Sequence, residues 1–157
     1  MNYELLNMPD YSDRIRLRNQ DGQLQIFDSI RGRWLVLTPE EWVRQNTIIY
    51  ISDTLDVPMS RIANEVGISF NGLTKRCDSI IYDDYGNPLI IIEYKRSDIQ
   101  LTQRTFDQIA TYNLQLRVPY LIVSNGIQHI LCKVDFENQK YIFAEQWPKY
   151  NELIIKN

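Results

Sequence analysis

Asp78, Glu93 and Lys95 are the residues whose types and spacing could do chemistry. Glu93 and Lys95 stand directly behind the aliphatic run Leu89 to Ile92. Such a run reads as a strand buried on both faces, where charges are seldom left without a partner. Asp78 lies in a second apolar stretch, and Asp83-Asp84-Tyr85-Gly86-Asn87-Pro88 between the two is dense in turn formers. If Asp84 to Asn87 form the loop, Asp83 pairs with Pro88 and, counting back, Asp78 lies opposite Glu93. Directly opposed strand residues hold their Cβ atoms about 4.5–5.5 Å apart on one side of the sheet. Lys95, two residues on, shares that side, whereas Tyr94 points away.

Two carboxylates so placed repel each other unless a cation intervenes. A divalent metal with oxygen ligands supplies that charge, and Mg²⁺ commonly takes one or two carboxylates plus waters and substrate phosphate. Such an ion generates hydroxide, orients a scissile phosphate and stabilises the leaving oxygen. A neighbouring lysine orients the attacking water or neutralises charge developing in the transition state. The set is competent for phosphodiester hydrolysis. The plain alternative is a solvated hairpin face.

The elements that must position these residues follow from local patterning. Arg14 to Arg18 and Gln23 to Asp28 flank Asp21-Gly22, a hairpin signal, and Arg33 to Leu37 is a further short strand. Thr38-Pro39-Glu40-Glu41 starts a helix: Thr38 caps it, Pro39 suits the first helical position, and Glu41 falls where a capping box needs it. That helix is expected to run to about Ser52, with Trp42, Ile48 and Ile49 facing inward. Arg61 to Ile68, Cys77 to Tyr82 and Leu89 to Lys95 read as strands, though Ala63-Asn64-Glu65 also tolerates helix. Thr102 caps a second helix ending near Leu116, because Pro119 disfavours continuation. Pro119 to Ser124, a tight turn at Asn125-Gly126, Ile127 to Val134 and Lys140 to Ala144 complete the strands before a loose, polar C-terminus. The fold class is α/β (α+β): a mixed central sheet flanked by helices.

The 157 residues fit one domain. Apolar content of 44% and charged content of 24% are ordinary for a globular protein. No apolar run approaches the roughly 18 residues needed to cross a membrane, and the N-terminus lacks the pattern of a secretory signal. Two cysteines are too few for a disulfide framework or a cysteine zinc site. A reduced, cytoplasmic protein without membrane association is expected. The net charge of −3 argues against a general nucleic-acid coat. Residues 57–117 balance seven Lys/Arg against seven Asp/Glu, so any phosphate contact comes from clustering in three dimensions.

His129, the single histidine, shares a strand face with Ile127 and Leu131 and has no second histidine for a metal site or partner for a triad. Cys77 is turned away from Asp78 by strand alternation and reads as a packed thiol. Gln108 and Tyr112 stand at i and i+4 on one helix face; the alternative is that Tyr112 joins Phe106, Ile109 and Leu116 in the core. Glu65 is an outside candidate on a strand that could lie beside the hairpin.

Asp78 followed by Glu93-Tyr94-Lys95 resembles the core motif of the PD-(D/E)XK nuclease superfamily, with Cys77 where the family often has proline. Gln108-Ile-Ala-Thr-Tyr112 resembles the Gln-x-x-x-Tyr signature of its RecB-like and type I restriction branches. Around these, Leu37-Thr-Pro-Glu-Glu-Trp-Val-Arg-Gln45, Lys75-Arg-Cys-Asp78, Phe106-Asp-Gln-Ile-Ala-Thr-Tyr-Asn113 and Val118-Pro-Tyr-Leu-Ile-Val-Ser-Asn-Gly126 are similar, in consistent order, to the N-terminal domain of type I restriction enzyme R subunits. The resemblance covers roughly residues 24–135, which it marks as a nuclease-like core, with an N-terminal extension and hairpin over 1–23 and a C-terminal strand and tail over 136–157.

It implies a restriction-endonuclease-like fold and Mg²⁺- or Mn²⁺-dependent DNA cleavage. The metal would be held by Asp78, Glu93 and the backbone carbonyl of Tyr94, with Lys95 serving the attacking water or transition state. Gln108 and Tyr112 would support the site or contact DNA. Glu41 could help hold metal, as an acidic residue on an early helix does in related nucleases, although its capping position also explains it. Full-length R subunits carry an ATP-driven translocase; this sequence has no Gly-x-x-x-x-Gly-Lys-Ser/Thr loop and hence no ATP site of that kind. A stand-alone relative, or one part of an assembly with other restriction-modification or DNA-processing subunits, is expected, and a homodimer is open. The competing reading is a catalytically silent DNA-binding or protein-assembly module that keeps the fold.

Overall fold

A computed structural model describes residues 5–155, so the first four residues of the N-terminal extension and the last two of the tail lie outside it. Three short antiparallel strands come first: β1 Leu17–Gln20, β2 Gln23–Asp28 and β3 Arg33–Val36. Asp21 (φ 53°) and Gly22 (φ 80°) make the two-residue turn between β1 and β2. Two positive φ angles in succession define the turn type that matches strand twist. The first strand starts at Leu17, three residues later than the pattern suggested.

Helix α1, Pro39–Leu55, begins as the cap predicts, with the Glu41 N–H donating to Thr38 Oγ1 at 3.1 Å. It runs three residues beyond Ser52, until Asp56 turns left-handed at φ 58°. Every residue from Val43 to Ile49 is buried. A helix with one solvent face would not do this; α1 packs on β2 on one side and on the main sheet on the other.

The main sheet holds β4 Ile62–Phe70, β5 Leu73–Tyr82, β6 Pro88–Tyr94, β7 Tyr120–Ser124, β8 His129–Asp135 and β9 Lys140–Phe143, in that spatial order. All pairs are antiparallel except β6 with β7, which α2 (Gln103–Leu116) joins as the crossover that a parallel pair requires. β4 and β5 form a longer hairpin than expected, turning at Asn71 (φ 49°) and Gly72 (φ 81°). The loop between β7 and β8 spans residues 125–128, since Ser124 pairs with His129; Asn125 Oδ1 closes it by accepting from the Ile127 and Gln128 N–H groups. The loose C-terminus expected from composition is instead a short helix, α3, Tyr150–Ile155, whose Tyr150 and Leu153 are buried.

The sheet is covered on both faces. Val43, Ile48, Ile51 and Leu55 of α1 pack with Ile81, Ile90, Ile92, Tyr94, Tyr150 and Leu153. On the other side, Phe106, Ile109, Ala110 and Leu116 of α2 pack with Cys77, Ile80, Ile91, Leu121 and Val123. This explains the aliphatic run of β6: Leu89, Ile90 and Ile92 pack in one apolar layer and Ile91 in the other. No helix among the described residues is long and apolar enough to cross a membrane.

Candidate active site

The ladder between β5 and β6 pairs Ile80 with Ile91 and Ser79 with Ile92, and ends there. Asp78 and Glu93 are therefore the next residues across the seam, as the loop count anticipates. Nearer the turn, Tyr82 rather than Asp83 faces Pro88, because the register shifts between Ile81 and Tyr82. Asp83 closes the turn instead, its Oδ1 accepting from the Tyr85 and Asn87 N–H groups at 2.9 and 2.8 Å. The irregularity absorbs one residue and leaves the deeper register intact.

Strict alternation does not describe the strands at Asp78. Asn64 and Ser79 face the α1 layer, where Ser79 Oγ accepts from Tyr94 Oη at 3.0 Å and donates to Asn64 Oδ1 at 2.6 Å. Val66 and Cys77, two residues away on the same strands, pack in the α2 layer. Residues two apart normally share a face. The inversion falls at Glu65, which adopts φ 57°, and at Asp78 opposite it, a position the β4–β5 pairing skips. Asp78 lies at this crossing, so its carboxylate reaches into the seam, where Oδ2 accepts from the Tyr94 N–H at 3.0 Å.

Two cations hold the two acids from different elements. Glu93, 8% exposed, accepts from Lys75 Nζ at 2.7 Å, and that ammonium lies 5.5 Å from the ring centre of Tyr112 on α2. Burial and the charge of Asp78 raise the Glu93 pKa above the ordinary carboxylate range, opposed by Lys75 and by Lys95. Asp78 is approached by Arg44 of α1 at 3.8 Å. The Arg44 guanidinium also reaches Glu65 at 2.7 Å and Glu41 at 3.6 Å and lies 5.7 Å from the Tyr94 ring centre. Burial works against the charged form of Arg44, yet Glu41, Glu65 and Asp78 together raise its pKa. Burial likewise opposes the ionised Glu65, but its bonds to Arg44 and the charges of Arg44 and Arg76 lower its pKa.

Behind the seam a buried polar chain ties the site to the N-terminal sheet. Asp28, fully buried, accepts from Asn64 Nδ2 at 3.0 Å, and Asn64 links through Ser79 to Tyr94. Burial alone would raise the Asp28 pKa; the Arg31 N–H, Asn64 and the Arg31 guanidinium together lower it. Arg31 extends to Glu41 at 3.8 Å.

Lys95 lies one residue beyond β6, half-buried, its N–H donating to Ser124 O at 2.9 Å. Its charge acts on Glu93, and among the described residues its ammonium forms no ion pair. Gln108 is exposed and Tyr112 is 54% exposed, so Tyr112 does not join the core; its ring flanks Lys75. The Glu41 carboxylate turns to Gln45 Nε2 at 2.8 Å and to Arg44 as well as lying in the first turn. Cys77 is a buried thiol whose pKa burial pushes up to about 11. His129 stands apart, held by Ser124 Oγ at 2.9 Å and Asn7 O at 3.1 Å and stacked near Tyr50, with its pKa lowered by burial.

Arg44 and Lys75 are the site residues that sequence patterning did not single out. Their signals were present: an arginine three residues after Glu41 on the same helix, and a lysine two residues before Cys77 on a strand. Among the described residues no three His, Cys, Asp or Glu side chains converge as a metal cage. The hard-oxygen donors at the seam are the carboxylates of Asp78 and Glu93.

Residues 39–148 match the family described as type I restriction enzyme R protein N terminus (HSDR_N). No curated protein matches the chain. Among solved structures, the fragment structure of an HsdR subunit of a type I restriction enzyme from Vibrio vulnificus YJ016 is similar, with a TM-score of 0.52 and 17% identity. The alignment covers 76% of this chain and 25% of that one, so the likeness is one of fold, over a quarter of the fragment's length. With the profile matched across most of its residues, the chain belongs to the family of type I restriction enzyme R protein N-terminal regions.

Proposed function

We propose that the chain is a Mg²⁺- or Mn²⁺-dependent endonuclease domain that hydrolyses phosphodiester bonds in DNA. The observation that carries this reading is the buried Glu93 carboxylate, its pKa raised by burial and by Asp78. A buried acid whose charge is disfavoured by a second carboxylate at the open end of a strand pair is a fit for a divalent cation. The Tyr94 N–H already points toward Asp78, and the N–H and C=O of one strand residue leave on the same edge. The Tyr94 carbonyl is therefore aimed at the same seam and completes the oxygen set.

Bound there, the ion would lower the pKa of a water and polarise the scissile phosphate. The chain's own residues do the rest. Lys75 keeps Glu93 in place and shares its negative charge. Lys95, beside Glu93, orients the attacking water or stabilises charge on the phosphate in the transition state. Gln108 and Tyr112, exposed on α2, contact the nucleic acid.

A second reading is favoured by Arg44 and Lys75, which already neutralise the acids without metal. It is a catalytically silent module that binds DNA or another restriction-modification subunit, in which a motor carried elsewhere in the assembly or a second copy of the chain completes the function. A plasmid-nicking assay with Mg²⁺ separates the two. Wild type nicks and Asp78→Ala and Lys95→Ala do not, with all three folded; nicking that persists in the purified variants would overturn the nuclease reading.

A further inference from the structure

The outer face of the N-terminal sheet carries a feature that the seam does not use. Leu24, Ile26 and Asp28 alternate toward the interior, so Gln25 and Phe27 of β2 face outward. The register places Trp34 across from Phe27, Val36 across from Gln25, and Arg18 on the other side of Gln25, with the Phe27 N–H bonded to Arg16 O at 2.9 Å. Two exposed arginines therefore lie across two aromatic rings. The Arg16 guanidinium is 4.2 Å from the Phe27 ring centre and 5.4 Å from that of Trp34. The Arg18 guanidinium is 4.4 Å from the Trp34 ring centre and donates to Gln25 Oε1 at 2.7 Å.

Opposite charges that face each other across strands stabilise a sheet. Among the described residues, no acid lies within ion-pair distance of Arg16 or Arg18, in a chain whose net charge is −3. The rings, packed edge to face at 5.2 Å, hold the guanidinium planes without neutralising them. This leaves the terminal N–H groups of both guanidinium planes, the Arg18 Nε being bonded to Gln25, for an anion that accepts planar, bidentate hydrogen bonds.

We propose that this face docks the phosphodiester backbone of duplex DNA. Strand residues two apart stand about 6.7 Å apart, about two axial rises of 3.4 Å per nucleotide, so the two guanidinium groups can engage separate phosphates of one strand. The face lies on the side of β2 opposite Asp28, which is bonded to Asn64 of β4, so the strand that presents the arginines and rings to solvent is anchored through its inner side to the seam. The inference deepens the nuclease reading by assigning a backbone-positioning surface to a separate sheet, yet it does not require a metal to be bound.

The experiment is fluorescence anisotropy of a labelled blunt DNA duplex with the full chain in EDTA, over a series of salt concentrations. Wild type is compared with Arg16→Gln/Arg18→Gln and with Arg16→Lys/Arg18→Lys. Loss of two phosphate contacts lowers the slope of log affinity against log salt by about 1.8. The glutamine pair shows that reduction with at least a severalfold weaker Kd at low salt, and the lysine pair, which keeps the charge, recovers most of the slope. Melting curves establish that the variants are folded, and the lysine pair retains the charge test if the glutamine pair is not. Superimposable curves for wild type and the glutamine pair, or no binding by wild type, would overturn the proposal and leave the face to a protein partner. Because EDTA removes divalent ions, either result stands apart from whether Asp78 and Glu93 hold metal.

Discussion

Lys75 Nζ stands 2.7 Å from Glu93 Oε1, so β5 supplies both the acid that raises the Glu93 pKa, Asp78, and the base that lowers it. Removing the base should leave a nearly buried carboxylate without its partner. Lys75→Met is expected to cost about 1–3 kcal/mol, below the cost of breaking a fully buried pair because Lys75 retains 20% exposure. Urea denaturation at neutral pH measures it, and an unchanged midpoint would mean that the pair contributes nothing.

Arg44 is the more deeply placed cation, with its side chain 5% exposed and carboxylates of Glu41, Glu65 and Asp78 around it. Arg44→Gln removes the charge that those acids share and is expected to destabilise by about 3–5 kcal/mol. Added Mg²⁺ should raise the melting temperature of this variant more than that of wild type, since an added cation meets a larger excess of negative charge. Thermal melts with and without Mg²⁺ decide it; equal shifts would show that Arg44 does not screen the metal site.

Much of this arrangement was legible in the sequence. The turn chemistry of Asp21-Gly22, the cap at Thr38 and the breaker at Pro119 mark β2, α1 and α2, and the loop count from Asp84 to Asn87 places Asp78 beside Glu93. Local pattern recovers these because each depends on neighbours along the chain. Asn71-Gly72 carries the same kind of turn signal, and its hairpin was missed because the polar alternation Ser69, Thr74, Arg76 hides half of each strand. α3 was missed because only Tyr150, Leu153 and Ile154 mark its inner face. The left-handed Glu65 and the change of face at Asp78 were not visible, because non-glycine residues rarely adopt positive φ. Arg44 and Lys75 belong to the site through contacts between distant segments, which no local spacing rule encodes.

The Tyr94 side chain and its backbone have separable roles. Tyr94→Phe removes the Oη bond to Ser79 while leaving the main chain in place. The expected cost is about 1 kcal/mol, with metal affinity unchanged. Denaturation together with Mn²⁺ titration tests both halves, and a lost affinity would show that the hydroxyl chain from Asp28 to Tyr94 positions the ligands.

Metal binding should depend on pH through Glu93. A carboxyl whose pKa is raised in the folded state contributes stability below its unfolded pKa, and that contribution is lost as pH rises through the folded value. A metal needs the ionised form, so affinity for Mg²⁺ should fall as pH drops, beginning above the range of an ordinary glutamate. Stabilisation by Mg²⁺ should likewise grow as pH rises through the folded pKa of Glu93. Melting temperatures at saturating and zero Mg²⁺ across pH provide the test. A difference that is flat through that interval in wild type, or identical in Glu93→Gln, would contradict it.

The most direct measurement is calorimetric titration of Mg²⁺ and Mn²⁺ into wild type and Asp78→Ala at neutral pH. A saturable site in wild type that is lost in the folded variant is the predicted result. No binding by either protein, or equal binding by both, would contradict the assignment of Asp78 and Glu93 as the metal-holding pair.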